Sequence, residues 1–118
     1  MPDDQNVPVG GVDGSAAGKQ VLVGTAGVDE FLADAAAGNR ASADVITGFT
    51  DGSDTVRLDG IDDVYVETEV SNGQTNVIIR STNDNTATDN ILAVILDFDA
   101  TGTFDQNDLD AGTTFNAL

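Results

Sequence analysis

The hydrophobic residues of this chain fall into short runs separated by turns rich in glycine and aspartate, and the first two runs echo each other. Ser15 to Val23 and Gly24 to Leu32 match at an offset of nine residues: Gly18 recurs as Gly27, Gln20 as Asp29 and Leu22 as Phe31. Each unit predicts a tight turn followed by a very short strand that sends one large apolar side chain inward, Leu22 and then Phe31. Residues 1–14, with Pro2, Pro8 and the Gly10-Gly11-Val12-Asp13-Gly14 cluster, read as a lead-in segment. Residues 33–43 are alanine-rich but broken by Gly38 and Asn39, and read as a loop or insertion. From Asp44 to Ile61 the pattern predicts two short strands around a Gly-Asp turn. Val56 and Leu58 share a face there, and Asp54 opens the second strand.

Asp63 to Ser71 and Gln74 to Arg80 flank Asn72-Gly73, the two-residue signal of a type I′ hairpin. That turn sets the register. Val66 faces Ile79 and Thr68 faces Val77 on the expected core side, while Tyr65 faces Arg80 and Glu67 faces Ile78 on the other, where Tyr65 and Arg80 read as a surface cation–aromatic pair. After the polar loop 81–90, Ile91-Leu-Ala-Val-Ile-Leu96 is a short continuous apolar run and reads as a central strand. The fold class expected is all-β, with residues 15–118 as a single domain.

Composition narrows the function. The 118 residues carry 21 Asp and Glu against four Lys and Arg, a net charge of −17, with no cysteine, histidine or tryptophan. Such a chain repels nucleic acid and anionic lipid and favours divalent cations as partners. Thiolate and imidazole chemistry and conventional zinc sites are excluded. No apolar stretch is long enough to span a membrane, so membrane insertion is not expected. Carboxylate pairs such as Asp62 and Asp63 arise by chance in so acidic a chain, and no catalytic residue is expected. Hydrophobic residues make up 40%, but aromatics only 5%, so bound ions are a plausible supplement to a modest core.

Three motifs stand in order: Gly24 to Phe31, Asp44 to Phe49 and Gly52 to Leu58. With the hairpin and the final strands, they resemble the C-terminal modules of the RTX (repeats-in-toxin) family, in particular serralysin-type metalloprotease C-terminal domains and mannuronan epimerase R-modules. Gly48 departs from that pattern, which has Asp before Phe49, and the array is reduced to about two nonapeptides, the first weakened by Gln20. The resemblance implies a short parallel β-roll capped by antiparallel strands. It also implies a non-catalytic module that folds on calcium at the C-terminal end of a secreted, extracellular protein. There it follows an N-terminal passenger domain and serves as cap and type I secretion signal.

Calcium takes six to eight hard oxygens. In the family's geometry the carbonyls of Gly24 and Ala26 and the carboxylate of Asp29 form one half-site. The other half comes from Gly11 to Asp13 or, the reading favoured here, from Asp44, Asp51 and Asp54. The alternative for Asp29 is an ordinary turn aspartate that satisfies backbone N–H groups. Asp97 to Asp108 matches an EF-hand loop at Asp97, Asp99, Thr101 and Gly102, but Asp108 replaces the bidentate Glu and the preceding segment is β-like. Two other functions compete. One is a polysaccharide- or surface-binding module using the sheet face around Tyr65, Glu67 and Arg80, with calcium only structural. The other is an acidic protein adapted to high salt.

Overall fold

The computed structural model describes residues 11–13, 20–24, 27–33, 38–50, 53–98 and 103–118. Among the described residues there are nine strands: β1 (Gly11–Asp13), β2 (Val21–Val23), β3 (Glu30–Leu32), β4 (Asp44–Thr47), β5 (Thr55–Arg57), β6 (Asp63–Ser71), β7 (Gln74–Arg80), β8 (Ile91–Ile95) and β9 (Thr114–Ala117). One 3-10 turn, Gln106–Asp108, precedes the last strand. The fold is all-β.

The first five strands alternate between two sheets. β1, β3 and β5 pair in parallel as a three-stranded sheet, while β2 and β4 pair in parallel as part of a six-stranded sheet of order β2-β4-β8-β7-β6-β9. The nine-residue echo therefore relates β2 to β3, neighbours in sequence that lie in different sheets. Residues stacked within one sheet are separated by 19 positions between β1 and β3, 24 between β2 and β4 and 25 between β3 and β5. Leu22 pairs with Ile46, and Phe31 pairs with Val56.

Leu22, Phe31, Val56 and Leu58 are buried as expected, in one core between the sheets that also takes in Ile46, Val66, Val77 and Ile79, whereas Thr68, expected on the core side of the hairpin, is exposed. With three-residue strands each coil brings only one or two large side chains inward, so the scarce aromatics matter. All five phenylalanines of the chain join in a continuous row, Phe31 to Phe49, Phe49 to Phe98 and Phe104, and Phe104 to Phe115, with ring centroids 5.8–6.2 Å apart. Tilted contacts at that spacing add to the area they bury.

The hairpin has the expected register, from Ser71 opposite Gln74 to Tyr65 opposite Arg80. Asn72 (φ 54°) and Gly73 (φ 77°) adopt the left-handed conformations that a type I′ turn requires. The run Ile91–Ile95 is a central strand, every residue of it buried. It runs parallel to β4 on one side and antiparallel to β7 on the other.

One expectation fails on the outer face of the hairpin. Arg80 is not a surface residue beside Tyr65 but is only 6% exposed. Its Nη1 donates to Asn90 Oδ1 (2.7 Å) and to the Ala87 carbonyl (2.8 Å), and its Nε lies 3.3 Å from Glu67 Oε2. The reason is the loop 81–90, which folds over this face. Asn90 in turn donates to the Thr82 hydroxyl and the Asp84 carbonyl, closing the loop on itself around the guanidinium. Nearby, Ile78, Ile91, Val94 and Ala43 form a second, smaller apolar cluster.

Candidate functional site

The residue just before or at the start of strands β2 to β5 is polar: Gln20 before β2, Asp29 before β3, Asp44 opening β4 and Asp54 before β5. The three aspartates are at most 1% exposed. A buried carboxylate must be matched by donors, and the structure supplies main-chain ones. Asp44 Oδ1 accepts the Gln20 N–H at 2.9 Å, 24 residues earlier in the chain. Asp54 Oδ1 accepts the Asp29 N–H at 2.8 Å, 25 residues earlier, and its Oδ2 accepts the Thr50 N–H at 2.8 Å. The rule is the same in both sheets: the carboxylate of one coil satisfies the N–H at the equivalent position of the coil before it.

Glycines keep the turns close enough for this. A Cβ on Gly24 would stand 2.5 Å from the Gly48 carbonyl oxygen and 2.9 Å from Phe31 Cζ, so only glycine fits. Gly48 itself has φ +72°. The Gly24 N–H donates to the Thr47 carbonyl at 2.9 Å, completing the junction.

The structure thus brings Asp29 and Asp54 together at the edge of the three-stranded sheet, and places Asp44 and Gly24 along the six-stranded one. Ala26 and Asp51 lie outside the described residues. Among the described residues no group of three or more carboxylates converges on one point. The oxygens of Asp54, and Oδ1 of Asp44, face N–H groups whose positive ends oppose a cation, so these two fit the work of holding coils together. Asp29 holds the position equivalent to Asp54 one coil earlier in the same sheet and is equally buried.

The EF-hand-like stretch is built differently. The segment before it is the strand β8, not a helix. Asp108 Oδ2 accepts the Asp105 N–H (2.9 Å) while Asp105 Oδ1 accepts the Asn107 N–H (2.9 Å), a reciprocal cap on the 3-10 turn. Asp99, Thr101 and Gly102 lie outside the described residues.

Sequence reasoning did not pick out the coil-to-coil partners Gln20, Gly48 and Thr50. The signal was present: Gln20-Val-Leu-Val-Gly24 and Asp44-Val-Ile-Thr-Gly48 share an apolar-polar pattern at a shift of 24.

Among the described residues each arginine is ion-paired: Arg40 with Glu69, Arg57 with Asp59 and Glu30, Arg80 with Glu67. Hydrogen bonding to Arg40 holds the Glu69 carboxyl below its ordinary value. The same bond raises Arg40, and the bond to Asp59 raises Arg57. The sheet face around Tyr65 therefore offers a charge-compensated surface. A cavity of about 360 Å³ opens on the opposite side of the hairpin, lined by Val66, Thr68, Thr75, Phe98, Phe104 and Phe115 among others. No helix among the described residues is long and apolar enough to cross a membrane.

No family model matches this chain, and neither the curated proteins nor the solved structures contain a match to it.

Proposed function

We propose that this chain is a non-catalytic calcium-binding module of an extracellular protein, a short parallel β-roll closed by an antiparallel cap. The observation that carries the reading is the recurrence of an acidic or amide side chain at the start of strands β2 to β5, buried at Asp29, Asp44 and Asp54, with Asp29 set against Asp54 across the coils. In this reading Asp29, with the carbonyls of Gly24 and Ala26 and the side chain of Asp51, supplies the calcium ligands. Asp44 and Asp54 hold adjacent coils in register beside it. Each ion bound would offset two units of the net charge of −17, whose self-repulsion opposes compaction. The module acts as the C-terminal cap, and as the type I secretion signal, of a protein whose passenger domain precedes it.

The test is a calcium titration at fixed ionic strength, with magnesium as control, followed by far-UV circular dichroism and thermal melting. Calcium at a hundredfold above its dissociation constant stabilises the folded state by about 2.7 kcal/mol. Asp29→Ala removes most of that gain. An equal response to magnesium and calcium, or none to either, overturns the reading.

The polysaccharide-binding alternative loses its basic residue, because Arg80 is buried and committed to Asn90, Ala87 and Glu67.

A further inference from the structure

The stack is uneven at its first end. The three-stranded sheet begins at β1, but the six-stranded sheet begins one strand later, at β2, which pairs only with β4 among the described residues. In a parallel ladder, residues that direct both N–H and C=O to one neighbour alternate with residues that direct both to the other. The Gln20 carbonyl accepts from the Val45 N–H and the Gly24 N–H donates to the Thr47 carbonyl, both toward β4. Val21 and Val23 therefore direct their N–H and C=O groups to the opposite, outer edge. Their side chains are 64% and 63% exposed.

Gln20 adds a directional clue. Asp44 and Asp54 each accept an N–H from the coil before them, so a side chain at the Gln20 position is aimed at a coil before β2. Gln20 Oε1 is buried and has no hydrogen-bond partner. A buried acceptor left without a donor is unfavourable by about 1–3 kcal/mol, and an amide N–H delivered along that edge would satisfy it.

We propose that the outer edge of β2 receives one more parallel strand, contributed by a coil-like segment joined ahead of β1. Its pre-strand N–H bonds to Gln20 Oε1, its backbone pairs with Val21 and Val23, and its central apolar side chain stacks on Leu22. The alternation of strands between the sheets selects this occupant, because a strand placed ahead of β1 would by that alternation fall in the sheet of β2. The spacing selects its sequence: a polar residue, three strand residues and a six-residue turn. Residues 1–10 do not carry that pattern. The inference rests on the stacked-coil part of the reading above and not on its calcium part.

The test replaces residues 1–10 with a second copy of residues 20–29, which sets a polar-Val-Leu-Val unit nine residues ahead of Gly11, the spacing between β2 and β3. Amide exchange at Val21 and Val23 is expected to slow by about tenfold, with Leu22 unchanged, and Tm to rise by about 4 °C. Gln20→Ala in the extended protein removes most of the rise, yet leaves the parent chain unchanged. Exchange is read with calcium or with chelator, whichever keeps the parent folded. Loss of the calcium response with the new protection intact sinks the calcium reading alone. Unprotected Val21 and Val23 in the extended protein overturn the proposal, as does a parent chain that protects them by dimerising.

Discussion

Asp54→Ala tests the coil-to-coil carboxylates most directly. Asp54 is 1% exposed and accepts two main-chain N–H groups at 2.8 Å, one from Asp29 in the preceding coil and one from Thr50 in its own turn. Alanine leaves the Asp29 N–H buried without an acceptor and gives up the part-buried bond from Thr50. At roughly 1–3 kcal/mol for the buried donor and up to about 1 kcal/mol for the other, the loss is about 1–4 kcal/mol. That is a large part of the ~5–15 kcal/mol that stabilises a typical domain. With a urea m-value of about 1–3 kcal/mol/M, a loss of about 3 kcal/mol moves the midpoint by roughly 1–3 M. Asp54→Asn keeps one acceptor and turns an NH₂ group toward the other donor, so it should fall between wild type and alanine. Asp44→Ala, which removes the acceptor of the Gln20 N–H, should destabilise as well. Urea unfolding by circular dichroism, at saturating calcium and again in chelator where the chain stays folded, reads all three. The penalty should be the same in both conditions. A loss at Asp54→Ala below about 0.5 kcal/mol, the scale of an ordinary surface substitution, would refute the argument. A penalty that appears only with calcium would instead make Asp54 a ligand.

Other perturbations follow from single contacts. Gly24→Ala forces a methyl group against the Gly48 carbonyl and should destabilise by about 1–3 kcal/mol in the same assay; an unchanged midpoint would mean the turns do not touch. Arg80→Lys keeps the charge but not the planar fork that reaches both Ala87 and Asn90. Faster amide exchange across residues 81–90 and a loss of about 1–3 kcal/mol are expected, with the hairpin register unchanged by NMR. Glu69 is held below its ordinary value of 4.5 chiefly by its hydrogen bond to Arg40. Its contribution is therefore complete above about pH 4.5 and disappears as pH falls through the lower folded value. Because Arg40 is half-exposed, that contribution is below about 1 kcal/mol, and Glu69→Gln should flatten the stability curve in that acid window alone.

The parts of the fold legible in the sequence are those set by local chemistry. Asn72-Gly73 fixed the hairpin register because a type I′ turn admits few other pairs of residues. Leu22 and Phe31 were identifiable as core from their matching places in the nine-residue echo, and Val56 and Leu58 because each stands between polar neighbours. The coil stacking was harder to see. Its repeat varies, 19 residues from β1 to β3 but 24 and 25 in the next two pairs, so the shorter nine-residue echo stands out first, although it joins strands of different sheets. Asp29, Asp44 and Asp54 could be singled out as acidic residues beside strands, but not as acceptors for another coil, since the donors are main-chain groups common to every residue. Arg80 was misread for a related reason: the hairpin pattern puts it on the outer face, and only the long-range return of residues 81–90 buries it.

The position of β8 also bears on the order in which the chain can assemble. β8 is the seam between the parallel strands and the antiparallel ones, so the sheet of β2 and β4 has no inner neighbour until residues 91–95 arrive. The β6–β7–β8 meander forms its backbone ladder on near-sequence contacts, without a strand from the first fifty residues. Contacts of short sequence separation form fastest, which makes the meander the natural template and the coils its later addition. A chain threaded out of a cell with its later residues leading would present that template first, while one emerging from its first residue would expose unpaired coils until β8 followed.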